Sequence, residues 1–257
     1  MDRAGRAGMA LHQVLSFSPL LLRVPEAEAV FWPGCALLQL DAAVLEGTLA
    51  ALARREPGIR LAAGCCGQPT ACLFPEKAPK RQEKLRALLA RRGVRRIYTA
   101  CPNCTRELRA LGGPAVEPVL PLLAELLRGE ASPARRERCV WHDPCPTRDD
   151  PVQQAAARAL LRWSGCDWTE PEHTGPRTRC CGNLGMLQTR DPQKSAAIRA
   201  RRLAELPAER TVLSSCEGCL GAFRGAGRDT CHILELLFGR SRSRSWGNRL
   251  RNSRPQI

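Results

Sequence analysis

The chain has 257 residues, enough for one large domain or two ordinary ones, and only 4% are aromatic, so its core must come mainly from Leu, Ala and Val. Fourteen cysteines fall below the density of the small secreted scaffolds that use disulfides in place of a core, and no run of about 18 apolar residues offers a membrane span. The formal charge of +15 invites a nucleic-acid reading, but the cations are scattered arginines, and metal-bound thiolates would offset part of the sum, so no nucleic-acid partner is expected.

Residues 1–25 place basic residues before an apolar stretch that His12, Gln13, Ser16, Ser18 and Pro19 interrupt. No small-residue cleavage pattern follows, so the segment reads as a poorly ordered N-terminus rather than a secretory signal. The expected compartment is a reducing cytoplasm, where clustered cysteines mean metal or redox chemistry more often than disulfides.

Residues 26–130 form the first expected lobe. AVFWPGC is an extended run ending at Cys35, and DAAVLEGTLAALARRE (41–56) carries helical spacing. IRLAAGCCG is a short extended run into Cys65 and Cys66, PEKAPKRQEKLRALLARRG is a helix stopped by Gly93, and VRRIYTACPNC is a strand ending in Cys101 and Cys104. RGEASPARRER is a polar, Pro-containing linker.

Residues 137–240 form the second lobe and repeat the first. CVWHDPC ends at Cys145, RCCG holds Cys180 and Cys181, and VLSSCEGC holds Cys216 and Cys219, with the helical segments PVQQAAARALLRWSG and DPQKSAAIRARRLAEL between them. From the second Cys of each doublet to the first Cys of each CxxC is 35 positions in both halves, and the single Cys precedes its doublet by 30 positions in one half and 35 in the other. Ten cysteines thus form two sets in the same order, which is the mark of a duplication. Residues 241–257 form a basic tail expected to be disordered.

Strands alternating with helices predict an α/β fold of two pseudo-repeated lobes, each a small, mostly parallel sheet flanked by helices, with the cysteines at the C-terminal ends of the strands. Cys104 and Cys219 then fall near helix N-termini, where the macrodipole favours a thiolate. Side chains of adjacent residues on extended backbone point apart, so a Cys-Cys doublet is poorly built to grip one ion. Zinc is one alternative, but it takes four ligands and the two CxxC motifs lie 115 positions apart. A thioredoxin-like dithiol is another, and it leaves three cysteines in each lobe unexplained. A polynuclear iron-sulfur cluster lets the two doublet sulfurs reach different irons.

The order PGC, CCG, CPNC, repeated as HDPC, CCG, SCEGC, resembles the duplicated CCG or cysteine-rich domain of the heterodisulfide reductase family. That domain is shared by iron-sulfur subunits of glycolate, lactate and anaerobic glycerol-3-phosphate oxidation. The resemblance runs from about residue 31 to 238 and implies an oxidoreductase subunit with two 4Fe-4S clusters of noncubane type. One would be held by Cys35, Cys65, Cys66, Cys101 and Cys104, and the other by Cys145, Cys180, Cys181, Cys216 and Cys219. It further implies thiol-disulfide reduction on a small disulfide or thiol substrate, or electron relay from an organic-acid dehydrogenase. The ferredoxin run C-x2-C-x2-C-x3-C-P is absent from this sequence, so ferredoxin-type or flavoprotein subunits are the expected partners, with peripheral rather than spanning membrane association. Asn183-Leu184-Gly185-Met186 departs from the family's glycine-richer run after the second doublet.

Cys72, Cys139, Cys166 and Cys231 lie outside both sets and read as small buried apolar residues. His142 and Asp143 adjoin Cys145 and suit either a hydrogen-bond or proton role or a local turn. His232 reads as a core histidine. Trp32 and Trp141 precede the single cysteines by similar distances and read as matched packing or shielding residues.

Overall fold

The computed structural model describes residues 3–254, with side chains from residue 7 onward. The chain divides into two compact units, residues 1–119 with 241–257 and residues 120–240.

In the first unit α1 (Arg3–Ser16) precedes β1 (Ala29–Trp32), α2 (Ala42–Ala53), β2 (Arg60–Leu61), α3 (Gln68–Leu73), α4 (Ala78–Arg91), β3 (Arg96–Thr99), α5 (Pro102–Leu111) and β4 (Ala115–Pro118). The division falls at the start of α6 (Val119–Leu126) rather than in RGEASPARRER. The second unit continues with β5 (Arg138–Trp141), α7 (Pro151–Ser164), β6 (Asp167–Thr169), α8 (Leu187–Arg190), α9 (Pro192–Leu203), β7 (Thr211–Ser214), α10 (Glu217–Arg224), β8 (Thr230–His232) and α11 (Ile233–Phe238). A last helix, α12 (Trp246–Asn252), belongs to the first unit.

Each unit holds a four-stranded sheet, in the orders β2-β1-β3-β4 and β6-β5-β7-β8. Every pairing within the two sheets is parallel, with Val30 opposite Ile97 in one and Val140 opposite Val212 in the other. The central strands are buried along almost their whole length, as parallel strands covered by helices on both faces must be. The α/β reading of two repeated lobes therefore describes the molecule. β4 and β8, which close one edge of each sheet, and β6, at the other edge of the second, are additional to the strands expected from sequence.

Local chemistry sets the helix ends. Asp150 and Asp191 cap α7 and α9 by accepting from the N–H groups of Gln153 and Lys194, at 2.9 Å each, with Pro151 and Pro192 as the first helical residues. His232 caps α11: its Nδ1 accepts from Leu234 N–H, and Glu235 reaches back to the His232 N–H. This buried histidine is thus a structural cap.

Among the described residues, both end segments depart from the expectation of disorder, since α1 and α12 are helices. α12 is capped by Ser245, and Asn252 Nδ2 donates to the carbonyls of Leu38 and Leu40 at 2.9 Å each. Arg249 is fully buried, stacks on Trp246 and donates to Ser16 Oγ on α1. A polar composition suggested nothing to bury, but backbone carbonyls and the Ser16 hydroxyl supply the partners that polar side chains need.

Candidate iron-sulfur sites

All four junctions where a central strand ends carry one of the anticipated cysteines. Cys35 follows β1 and Cys101 follows β3, while Cys145 and Cys216 follow β5 and β7. Cys101 and Cys216 are the N-cap residues of α5 and α10, and Cys104 and Cys219 lie in the first turns of those helices. The doublets follow the outer strands β2 and β6.

These sulfurs meet in a row. In the first lobe Cys35 pairs with Cys65, Cys65 with Cys66, and Cys104 with both Cys66 and Cys101. In the second, Cys145 pairs with Cys180, Cys180 with Cys181, and Cys219 with both Cys181 and Cys216. Both rows run in the same order: single Cys, first of the doublet, second of the doublet, second of CxxC, first of CxxC. The structure brings all five sulfurs of each sequence set together.

The rows are electrostatically costly to ionise. The hydrogen bond to Cys65 raises the Cys35 thiol well above its ordinary value, and burial adds to it. Cys35 pulls Cys65 the other way, yet the bond to Cys66 and burial outweigh that pull and push Cys65 up to about 12. Cys104 and Cys219 are raised by their sulfur neighbours and by burial, so the helix N-terminus does not by itself favour a thiolate there. Cys66 goes down through its bonds with Cys104 and Cys65, and so does Cys180 through its bonds with Cys145, Cys181 and the N–H groups of Leu184 and Gly182. A cationic nucleus is what would let the whole row release its protons.

Two glycines make room for this packing. A Cβ on Gly34, at φ +91°, would lie 3.0 Å from Cys104 Sγ. One on Gly182, at φ +90°, would lie 2.4 Å from the Ser195 carbonyl oxygen. Beyond Gly182, Met186 takes a left-handed conformation at φ 60°, rare for a side-chain-bearing residue.

One ring nitrogen of His142 and the Cys181 and Cys219 sulfurs lie mutually within 4.8 Å. Among the described residues this is the one such group of three or more His, Cys, Asp or Glu donors. A tetrahedral zinc cage of four thiolates brings every sulfur within about 3.8 Å of the others, so an extended row of five fits a larger nucleus better than a single ion.

Trp32 and Trp141 are not counterparts. Trp32 stands three residues before its single Cys and Trp141 four; in a strand, one residue changes the face. Thr99 on β3 faces Trp32, whereas the equivalent Ser214 on β7 follows Leu213, which faces Trp141. His142 therefore occupies the Trp32 position, and Trp141 donates through Nε1 to Asp143 Oδ1 at 2.8 Å.

Two buried arginines escaped the sequence reading. Arg202 on α9 lies near Cys219, and Arg249 on α12 near Cys35. The one available signal was that Arg202 stands seven residues after Ser195, on the same face of an amphipathic helix. Burial first, and then the charge of Arg202, lower the His142 pKa to about 3. Of the cysteines outside the two sets, Cys139, Cys166 and Cys231 are buried, while Cys72 is half-buried.

The cysteine-rich domain family CCG matches residues 29–109 and again residues 139–224. A probable membrane-anchored ferredoxin from Chromohalobacter salexigens is 31% identical over 121 residues, 44% of this chain and 18% of that protein. The match thus spans under a fifth of that relative's length. Among solved structures, aspartate racemase from Picrophilus torridus covers 87% of this chain and 98% of its own, at 10% identity and a TM-score of 0.34. Glutamate racemase from Campylobacter jejuni covers 81% and 80%, at 13% identity and a TM-score of 0.33. Likeness at that level carries no argument about fold or activity.

Proposed function

Because the chain belongs to the cysteine-rich CCG domain family in both of its halves, we propose that it is an iron-sulfur redox subunit binding one 4Fe-4S cluster in each lobe, of noncubane type. Cys35, Cys65, Cys66, Cys101 and Cys104 hold the first cluster, and Cys145, Cys180, Cys181, Cys216 and Cys219 the second. The observation that carries this reading is the identical order of five neighbouring sulfurs in the two lobes. A donor row longer than one ion can use is what a polynuclear centre needs.

When bound, such a centre supplies one-electron transfer. The residues around it hold the thiolates, exclude water and place N–H groups on sulfur, as Gly182 N–H does to Cys180 Sγ at 3.3 Å. Electron transfer is also the class to which the ferredoxin relative's name points. The protein works beside ferredoxin-type or flavoprotein subunits, either reducing a small disulfide or relaying electrons from an organic-acid dehydrogenase. No helix among the described residues is long and apolar enough to cross a membrane, and any membrane contact is peripheral.

Anaerobic reconstitution followed by iron and acid-labile sulfide analysis tests the reading. Both elements are expected, and Cys66→Ser or Cys181→Ser should each remove about half of them, as two independent centres require. A colourless protein holding zinc and negligible sulfide sinks it. Mixing the reduced protein with a small disulfide then separates the two roles: rapid reoxidation marks disulfide reduction, and inertness marks relay.

A further inference from the structure

His142 is fixed more firmly than a packing residue needs to be. Its N–H donates to Leu213 O at 2.8 Å and its carbonyl accepts from Ser214 Oγ at 2.9 Å. Phe223 meets its ring edge to face, with centroids 5.0 Å apart. Nδ1 accepts from Arg202 Nε at 3.1 Å. Arg202 is itself fully buried and anchored by Nη1 to His173 O at 2.7 Å and Glu205 Oε2 at 2.8 Å.

Those contacts determine where the imidazole proton sits. A guanidinium never gives up its proton in a protein, so Nδ1 must present its lone pair to Arg202. An imidazolium has no lone pair to present, so the ring in this contact is neutral and carries its proton on Nε2. That Nε2 is buried with no hydrogen-bond partner, an arrangement that is costly unless something receives the proton. One ring nitrogen lies within 4.8 Å of the sulfurs of Cys181 and Cys219, and Nδ1 is already held by Arg202.

We propose that the His142 Nε2–H donates a hydrogen bond to the Cys181 and Cys219 thiolates when the second lobe is loaded, with Arg202 as the positioning residue that fixes the tautomer. This rests on the cluster reading above. Nε2 is a donor and not a metal ligand, because ligation would require it to lose its proton. A hydrogen bond to a ligand sulfur draws charge from it and raises the reduction potential of the centre it holds. The first lobe has Trp32 at the equivalent position, its Nε1 likewise buried without a hydrogen-bond partner, so His142 itself acts on the second centre.

Two measurements on the full chain decide it. In the reduced, unloaded protein, nitrogen-15 NMR of labelled histidine should show His142 as the Nε2–H tautomer, and an Nδ1–H tautomer overturns the proposal whether or not the chain takes up iron. In the reconstituted protein, a potentiometric titration followed by electron paramagnetic resonance should show His142→Phe shifting one centre to lower potential with the other unmoved, and His142→Gln restoring it. Unchanged potentials in His142→Phe, or a nitrogen bonded directly to iron, overturn it. Should His142→Phe fail to load, Arg202→Met gives the same reading, with a mixed tautomer and a shift in the same direction expected. A wild-type chain that takes up zinc and no iron defeats the cluster reading instead, and the tautomer still decides the donor.

Discussion

Asp143 gathers five hydrogen bonds on one buried carboxylate: from Trp141 Nε1, from both terminal nitrogens of Arg158, from Thr174 Oγ1 and from Gly175 N–H. Burial alone would raise its pKa. The Arg158 guanidinium, Trp141, Gly175 and Thr174 outweigh that and hold it at about 2. Four of these contacts reach Arg158, Thr174 and Gly175, so Asp143 ties separate segments together rather than fixing the local turn that WHDPC suggested. Asp143→Ala strands Trp141 Nε1, Thr174 Oγ1 and Gly175 N–H, while Arg158 keeps its ion pair with Glu170, and should destabilise the protein by about 3 kcal/mol in urea unfolding. The carboxylate's contribution is present above about pH 4 and lost as the pH falls towards 2, so the wild type should lose stability over that window more steeply than the variant. Equal slopes would show that Asp143 is not held in its charged form. Its neighbour His142 shows the limit of reading single residues: WHDPC marks it, yet its chemistry depends on Arg202, sixty residues further along.

At the scale of elements, each CxxC sits at a strand-to-helix junction, so the strand aims the first sulfur and the opening turn of the helix presents the second. The alternation of β-branched runs with amphipathic segments was enough to place α2, α4, α7 and α9 and the central strands. β4, β6 and β8 were not legible, because these short edge strands lack the continuous apolar run that marks the buried central ones. α12 was hidden for a related reason. Its arginines and asparagines signal solvation, and only the docked structure shows Asn248 Nδ2 donating to Gln39 O at 3.1 Å and to Asp41 Oδ1 at 3.2 Å. Asn248→Ala should therefore cost about 1–3 kcal/mol in denaturant unfolding, whereas exposed Arg242→Ala should cost almost nothing. Equal, negligible costs for both would mean that the tail contributes nothing to stability.

For the molecule as a whole, the two sulfur rows couple stability to pH. Cys35, Cys65 and Cys104 in one row and Cys145, Cys181 and Cys219 in the other are raised, while Cys66 and Cys180 are lowered. The unloaded folded chain thus keeps protons that the unfolded chain has released above the ordinary thiol value of 9.0. Stability from the raised thiols is complete below that value and drains away as the pH climbs through the folded values, from about 9 towards 12 for Cys65. Urea midpoints of the reduced, unloaded protein should fall across this range, and Cys65→Ser with Cys181→Ser should flatten the fall. A flat profile in the parent chain would mean that the sulfurs do not share protons as the contacts require.

Duplication, the alternation of strands and helices, and the ten cysteines in two ordered sets are all written in local spacing, which survives projection onto a line of letters. Tertiary packing decided the rest: the order in which the sulfurs neighbour one another, the Trp32 and His142 equivalence, the buried arginines, and the return of residues 241–254 to the first unit. Those features depend on side chains that meet across dozens or hundreds of residues. Such meetings are set by strand register and by the partners that burial demands, and a one-residue shift in register reverses a face without altering the motif that contains it.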